Sequence, residues 1–447
     1  MTGLGELPAD GIAEQLPEAP GRGEEFVYLG IPDVHGSIRG KALRPDEFDA
    51  AHRNGAVMTD LLLALDPTDE PITDYERFGI RAGAGDLRVH PEPDTLRDLA
   101  WLPGWRVCLA TPTWLDGGQC ALSSREALCG VLAKVSALGY EVRAALEYEV
   151  RISDGEGSPL SRPISYSFVE VARFHEFLAR LRPALEGLGV EISAVHTEPG
   201  GGLLEMNLAA RPGLRAADDA AFVKLGVKGV ASAMGLRASF LAKTLPTEEG
   251  SSGHVHLSLW SDGANAFAPT DPAGELPPTL GSAVAGILDH LPAASLLLNP
   301  TINSYKRLVP GWFTPVNVSW GVENRSCALR AIRSASAERC RVECRRPGAD
   351  ANPYLAIAGL VAGAADGVAR EAEPPEPISG DASERPELPP LPGSLEGALA
   401  AFEADEGFRR SLGEEFCDYY ATSRRWELRA WRRGVSDWER ERYERAV

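Results

Sequence analysis

Four short stretches carry residue types whose spacing could do chemistry. In AALEYEVRI (144–152), Glu147 and Glu149 stand two apart in a β-prone run. On a strand, positions i and i+2 share a face, so both carboxylates point the same way. Two like charges side by side repel unless a cation neutralises them. HTEPGGGLLEMNL (196–208) sets Glu198 and Glu205 on either side of three glycines, which allow a backbone to approach a ligand closely. GSSGHVHLSL (250–259) repeats the alternation with His254 and His256 after a Gly/Ser turn. RVECRRPGADANPYL (341–355) alternates again, with Arg341, Glu343 and Arg345 on one face and Val342 and Cys344 on the other. Taken singly, each pattern is also what a solvated strand face or a plain ion-pair ladder would show.

Together the positions singled out supply five glutamates and a pair of histidines, His254 and His256, at strands or strand ends. Carboxylate-rich sets with an imidazole suit Mg2+ or Mn2+ rather than Zn2+, which favours Cys and His. Two such ions beside a cluster of arginines point to phosphoryl transfer: metals bridge phosphate oxygens and guanidiniums absorb charge on the transferred group. Arg307, Arg325, Arg330 and Arg345 are the available arginines. The chain has no GxxxxGK[ST] and no kinase motif set, which excludes a P-loop protein and a protein kinase. A fifth stretch, NSYKRLVPGWFTP (303–315), places Lys306 and Arg307 before a Pro-Gly turn that carries Trp312 and Phe313. The cations suit an anion; the aromatics suit a neighbour that is not one.

Elements of particular kinds must position these groups. Residues 25–43 are expected to form two short strands joined at His35-Gly36. LSSREALCGVLAKVSALGY (122–140) opens with a Ser cap and a Glu three residues on, then runs with helical spacing to a Gly stop. RFHEFLARLRPALEGLGVEI, the Ala-rich 215–242 and the whole of 394–447 are expected to be helical, and 370–393 to be a long Pro/Glu-rich loop. Residues 1–23 are acidic and rich in Pro and Gly and read as a disordered tail. There is no signal peptide and no run of about 20 uninterrupted apolar residues, so a cytoplasmic protein without a membrane span is expected. Lys+Arg 45 against Asp+Glu 64 gives a formal charge of −19, which argues against a nucleic-acid binder. Seven cysteines without metal-type spacing fit reduced thiols better than a disulfide framework.

From about residue 25 to 447 the chain resembles the glutamine synthetase superfamily. DVHGSIRGK, EYE, EPGGGLLE, KTLPTEEGSSGHVH, NPTINSYKRLVPG, NRSCALR, RVECRRPGADANPYLA and a closing LPGSLEGALAAFEAD occur in the family's order. The resemblance implies an α+β glutamine-synthetase fold. A β-grasp N-terminal domain would occupy 24–115, and 116–447 would be a catalytic domain with a curved antiparallel sheet and flanking helices. It implies that Glu149, Glu198 and Glu205 hold the metal that orients glutamate, and that Glu147, His254 and Glu343 hold the one that bridges the nucleotide phosphates. Arg307 would take the α-carboxylate of glutamate, Arg345 its γ-carboxylate, and Arg325 and Arg330 the phosphates of ATP. His256 and Gly250 would line the substrate pocket. The implied cofactors are ATP and two Mg2+ or Mn2+ ions per site, and the implied assembly is a homo-oligomer, a dodecamer of two hexameric rings.

Phe313 departs from that pattern. Ammonia-using members place a Glu at this position, where it closes the site and takes a proton from ammonium. Phenylalanine cannot do so, and a small hydrated cation gains little from an uncharged wall. An amine with a carbon body can pack on Trp312 and Phe313, and a cationic end gains about 0.5–2 kcal/mol from a ring face. The expected reaction is therefore ATP-dependent ligation of a polyamine, ethanolamine or another small primary amine to the γ-carboxyl of glutamate. SWGVENR (319–325) also looks like the γ-glutamylpolyamine branch. The rivals are a true glutamine synthetase using ammonium and a non-catalytic assembly protein of the same fold. Glu249 stands where the family has Asn, so recognition of the glutamate amino group is expected to be altered or the acid substrate to differ; Leu203 stands where it has Gln, and Asp60 is the candidate for the acid that a neighbouring subunit contributes. No Tyr lies between Tyr354 and Tyr419, so control by tyrosine adenylylation is expected to be missing.

Overall fold

The computed structural model describes residues 25–271 and 274–446, so the expected N-terminal tail lies outside the described residues. Two sheets dominate. Phe26–Pro32 (β1), Ile38–Leu43 (β2), Ala56–Thr59 (β3), Asp86–Pro91 (β4), Arg97–Asp98 (β5) and Trp105–Trp114 (β6) form the first, in the order β2-β1-β6-β4-β3 with β5 on β6. The β1–β2 hairpin has its turn where His35-Gly36 predicted it, and Asp33 caps that turn by accepting from the backbone of His35 and Ser37. Between β2 and β3 lies the helix Pro45–Asn54 (α1). The parallel pairing of β1 with β6 closes this sheet around Val27, Leu29, Val107 and Leu109.

The second sheet is built from Glu141–Ser153 (β7), Ile192–Thr197 (β8), Leu203–Leu208 (β9), Arg211–Pro212 (β10), Arg237–Ser239 (β11), Gly253–Ser261 (β12), Ala264–Asn265 (β13), Trp320–Val322 (β14), Leu329–Ile332 (β15) and Arg341–Cys344 (β16). Its spine runs β14-β15-β16-β12-β7-β9-β8, antiparallel except for β14 with β15. The long β7 lies near the middle and also pairs with β10 and β11. One face of this sheet is packed by helices. These include Ser124–Ala137 (α2), whose Ser123 cap accepts from the backbone of Glu126 as the sequence predicted, and Gly213–Ala233 (α5). The short Phe168–Val171 (α3) and His175–Gly187 (α4) connect β7 to β8.

Behind them lie Pro278–Leu298 (α6) and Pro353–Ala369 (α7). These two helices touch at glycines: a Cβ on Gly286 would stand 2.1 Å from the carbonyl oxygen of Gly363. By length and composition α6 could cross a bilayer, yet most of it is buried inside the fold.

Three expectations need correcting. The Ala-rich helix ends at Ala233, because Gly235 turns the chain at φ 68° and 237–239 joins the sheet as β11. The stretch through GVEI is not helical to its end: α4 stops at Gly187 and Ile192 starts β8. The C-terminal segment is four helices rather than one, Leu395–Ala404 (α8), Glu406–Leu412 (α9), Glu414–Arg433 (α10) and Asp437–Tyr443 (α11), broken at Asp405, Gly413 and Gly434. The 370–393 loop is long, as expected, but tied down: Asn324 donates to the carbonyls of Ile378 and Gly380, and Asn317 bridges Pro390. With β6 ending at Trp114 and α2 starting at Ser124, we propose the domain boundary near residue 115.

Candidate active site

Antiparallel register carries the chemical groups of separate strands into rows. His196 on β8, Glu205 on β9 and Glu149 on β7 form one row. Asn207, Glu147 and His254 form the next, across β9, β7 and β12. His256, Glu343 and Arg330 form a third, across β12, β16 and β15. Residues directly opposite one another in a ladder share a face. Three rows therefore put the alternating residues onto the face away from the helices, in a cavity of about 540 Å3. Of the residues expected in the site, Glu147, Glu149, Glu198, Glu205, Gly250, His254, His256, Arg307, Trp312, Phe313, Arg325, Arg330, Glu343 and Arg345 all line it. Asp60 does not line the cavity of its own chain: it is buried in a 3-10 turn after β3, and its Oδ1 has no hydrogen-bond partner among the described residues.

At one end the carboxylates are crowded. Burial, and next the neighbouring Glu205, push the Glu149 carboxyl up to about 8, and its Oε2 accepts from the Ser252 backbone at 2.7 Å. Burial and the Glu147 charge raise Glu205 to about 7. His196 reaches Glu198 at 2.8 Å and Glu205 at 3.6 Å. Burial opposes charge on this imidazole, but its hydrogen bond to Glu198 outweighs that and its pKa is raised. The ring of Tyr166 stacks on it, 4.3 Å away and 10° from parallel. Acids forced to hold protons near neutral pH mark negative charge that lacks a counter-ion, so this end fits a divalent cation. Sequence reasoning missed His196, although it stands two residues before Glu198, the same spacing used to find the other pairs.

At the other end charge is compensated. Glu343 accepts from Arg345 at 2.5 Å and from Arg330 at 3.1 Å. Burial opposes its ionisation, but opposing influences led by the Arg345 guanidinium against it hold it at about 2. Glu147 is likewise held well below the usual carboxylate range, chiefly by His256 against the cost of burial. Both histidines crowd this acid pair: His254 Nδ1 is 3.4 Å from Glu147 and 3.5 Å from Glu343, while His256 Nε2 is 2.9 Å from Glu147. Glu147, His256 and Glu343 bring ligand atoms within 4.8 Å of one another, as do His196, Glu198 and Glu205 at the other end. The tautomer separates the two rings. Arg341 Nε stands 3.0 Å from His256 Nδ1, and a guanidinium can only donate. That Nδ1 is therefore an acceptor and Nε2 carries the proton, which makes His256 a donor aimed into the cavity. His254, kept neutral by burial first and by Arg345 next, is the better ligand. The carboxylate and imidazole donors at both ends thus fit divalent cations that take oxygen and nitrogen ligands.

The remaining wall comes from loops. Arg307 is almost fully buried, and its guanidinium donates to Ser252 Oγ and to the carbonyl of Arg346. Gly250 lies against it, so closely that a Cβ would stand 2.4 Å from Arg307 Cγ. The 309–314 turn is pinched shut by Thr314, whose hydroxyl accepts from Val309 N and donates to Val309 O. Its tip holds Phe313 at φ 53°, a residue 65% exposed that lines the cavity. Trp312 is half-buried, with the Lys243 ammonium 4.5 Å from its ring centre.

Residues 121–443 match the family model for the glutamine synthetase catalytic domain. The chain is 33% identical to a glutamate–isopropylamine ligase of a Pseudomonas species, covering 94% of this chain and 95% of that one. It is also 33% identical to a γ-glutamylethanolamide synthetase of Streptomyces coelicolor, covering 93% and 91%. The solved GmaS/ADP complex superposes with a TM-score of 0.84 at 28% identity, over 95% of this chain and 97% of that one.

Proposed function

The chain belongs to the glutamine synthetase family, and from that premise we propose that it joins a primary amine with a carbon body to the γ-carboxyl of glutamate at the expense of ATP. Its class is ATP-dependent carboxylate–amine ligase, the class named in its relatives. The observation that carries the amine rather than ammonium is Phe313: the tip of the loop over the cavity offers a phenyl ring and no acid. Relatives named for isopropylamine and ethanolamine support the same reading.

In this reading Arg307 and Gly250 receive the α-carboxylate end of glutamate, with the rigid guanidinium fork of Arg307 fixing its orientation. Arg345 draws the γ-carboxylate toward the row of Glu343. A γ-carboxylate oxygen attacks the terminal phosphorus of ATP, ADP leaves, and γ-glutamyl phosphate forms. Arg330, Arg325 and His256 stand where they would meet the charge that spreads over the phosphoryl oxygens. Glu149, Glu198 and Glu205, with His196 beside them, would hold one divalent ion, and Glu147, His254 and Glu343 the other. The ions would supply Lewis-acid neutralisation of phosphate charge. The amine nitrogen, packed by Trp312 and Phe313, then attacks the acyl carbon and phosphate leaves. We further propose a ring assembly in which Asp60 serves the cavity of a neighbouring copy.

The test is phosphate release with glutamate and ATP fixed across ammonium, alkylamines, ethanolamine and polyamines, in wild type and Phe313→Glu. Wild type should prefer a carbon-bearing amine, and the variant should shift kcat/KM toward ammonium by about tenfold or more, the scale of one positioned proton acceptor. A wild type that prefers ammonium to every amine offered makes this a glutamine synthetase with an unusual lid.

A further inference from the structure

Six glutamates line the cavity, and five of them have partners. Glu147 and Glu343 meet imidazoles and arginines, Glu149 accepts from Ser252 N, Glu198 meets His196, and Glu205 accepts from Asn207 Nδ2. Glu249, half-buried in the same cavity, makes no hydrogen bond or ion pair through its carboxylate among the described residues. Its surroundings hold it in that position. Arg151 donates to the carbonyl oxygen of Glu249 at 3.2 Å and pairs with the carboxylate of Glu248 at 2.5 Å, while Gly201 N donates to Glu248 at 3.1 Å. Lys243 N donates to Asn303 Oδ1 and Ser251 N to the Ala242 carbonyl, so the main chain is pinned on both sides of residues 244–250, and the acid before Glu249 is consumed by Arg151. Two charged groups face Glu249: the Glu198 carboxylate and the Lys243 ammonium. Lys243 is already engaged, donating to the carbonyl of Glu248 and lying over the Trp312 ring. That contact also joins the 244–250 segment to the aromatic loop, and Glu249, Trp312 and Phe313 line the same cavity.

We propose that Glu249 binds the incoming amine as its ammonium and takes the proton that must leave before the nitrogen can attack. The inference rests on the amine-ligase reading and supplies the acid that the tip of the aromatic loop lacks. A partly desolvated carboxylate without a partner is costly to keep and is relieved by a cation that arrives beside it. The step balances. One ammonium proton passes to a Glu249 oxygen, freeing the nitrogen lone pair. The nitrogen bonds to the acyl carbon of γ-glutamyl phosphate, the carbon–oxygen bond to phosphate breaks, and the second proton leaves with phosphate. Glu249 then returns its proton to solvent.

Glu249→Gln tests this against two nucleophiles. An alkylamine arrives charged near neutral pH; hydroxylamine arrives mostly uncharged and needs neither a counter-ion nor a base. The variant should lose about 100-fold or more in kcat/KM for the best alkylamine. It should keep γ-glutamyl hydroxamate formation and the KM for glutamate within about threefold, which also reports an intact fold. Its alkylamine rate should climb about tenfold per pH unit toward the amine pKa, as the free base replaces the missing acceptor. A rise in the KM for glutamate with both nucleophiles would place Glu249 on the amino group of glutamate instead, and undiminished alkylamine turnover would place the proton elsewhere; either overturns the proposal. Failure of the amine-ligase reading is separate and is read in wild type alone, as turnover with ammonium and none with carbon-bearing amines.

Discussion

At the scale of single residues, the two ends of the cavity differ in how their negative charge is met. Glu343 is ionised because two arginines lie against it, whereas Glu149 and Glu205 are lifted to about 8 and about 7 by burial and by neighbouring acids. Both values exceed the unfolded carboxylate value of about 4.3. The folded, metal-free chain therefore holds protons that the unfolded chain releases. The stability linked to those protons is complete below about pH 4 and is lost as pH rises through 7 to 8. A divalent ion binds only the ionised carboxylates and must displace those protons, so its affinity runs the other way. The gain in apparent Tm on adding Mg2+ should therefore grow from pH 6 to pH 8. Calorimetry in two buffers should show about one to two protons released per chain near pH 6.5. Glu149→Gln should flatten that pH dependence; a Tm gain independent of pH in wild type would remove these carboxylates from the ion site.

Among the elements, the aromatic loop depends on one buried side chain. Arg346 is 1% exposed and donates to the carbonyls of Pro315 and Pro392, tying the end of the loop to the segment before α8. Its own carbonyl accepts from Arg307. Replacing it with Met keeps most of the volume but leaves two buried carbonyls without donors, a cost of about 2–5 kcal/mol. The Arg307 contact is to the main chain and survives the change. Arg346→Met should therefore lower the urea midpoint and raise the KM for the amine while leaving the KM for glutamate near its wild-type value. A variant equally impaired for both substrates would show that Arg346 supports the whole cavity rather than the loop. Phe313 sits at φ 53° in this loop, a conformation that costs a non-glycine residue about 1–2 kcal/mol, so the neighbouring anchors have strain to hold.

For the whole molecule, the cavity of one chain lacks the acid expected from the first sheet. Asp60 is 5% exposed, and the hydrogen bonds at its carboxylate are incomplete. If rings form and Asp60 serves the adjacent cavity, two different inactive chains should complement each other. Glu343→Gln would disable a chain's own cavity, and Asp60→Ala would remove what that chain lends to its neighbour. Mixed before assembly in equal amounts, they should recover about a quarter of wild-type activity per site, because a quarter of neighbouring pairs combine an intact cavity with an intact donor. Phosphate release from co-refolded or co-expressed chains reads this directly. No recovery, with mixed oligomers shown by native mass spectrometry, would confine Asp60 to its own chain.

The sequence by itself determined the alternations. Glu147 with Glu149, His254 with His256, and Arg341 with Glu343 and Arg345 each share a strand face because a strand repeats every two residues, and all seven lie in the cavity. It also determined the hairpin at His35-Gly36 and the Ser123 cap of α2, which are set by residues within a few positions of one another. Seven free cysteines agree with the absence of a disulfide pattern. What depended on distant partners was not legible. Helix propensity ran the Ala-rich segment past Gly235, where pairing with β7 makes a strand instead. His196 entered the site because β8 pairs with β9 and brings it opposite Glu205. The division of labour between His254 and His256 was set by Arg341, 85 residues away from His256 along the chain, because a guanidinium forces the nitrogen it touches to accept. Glu249 was visible as an unusual residue, but whether its carboxylate was paired depended on where Arg151, Lys243 and Glu198 came to rest. Local spacing fixes which face a side chain takes; only the packed chain decides which charges are left without a partner.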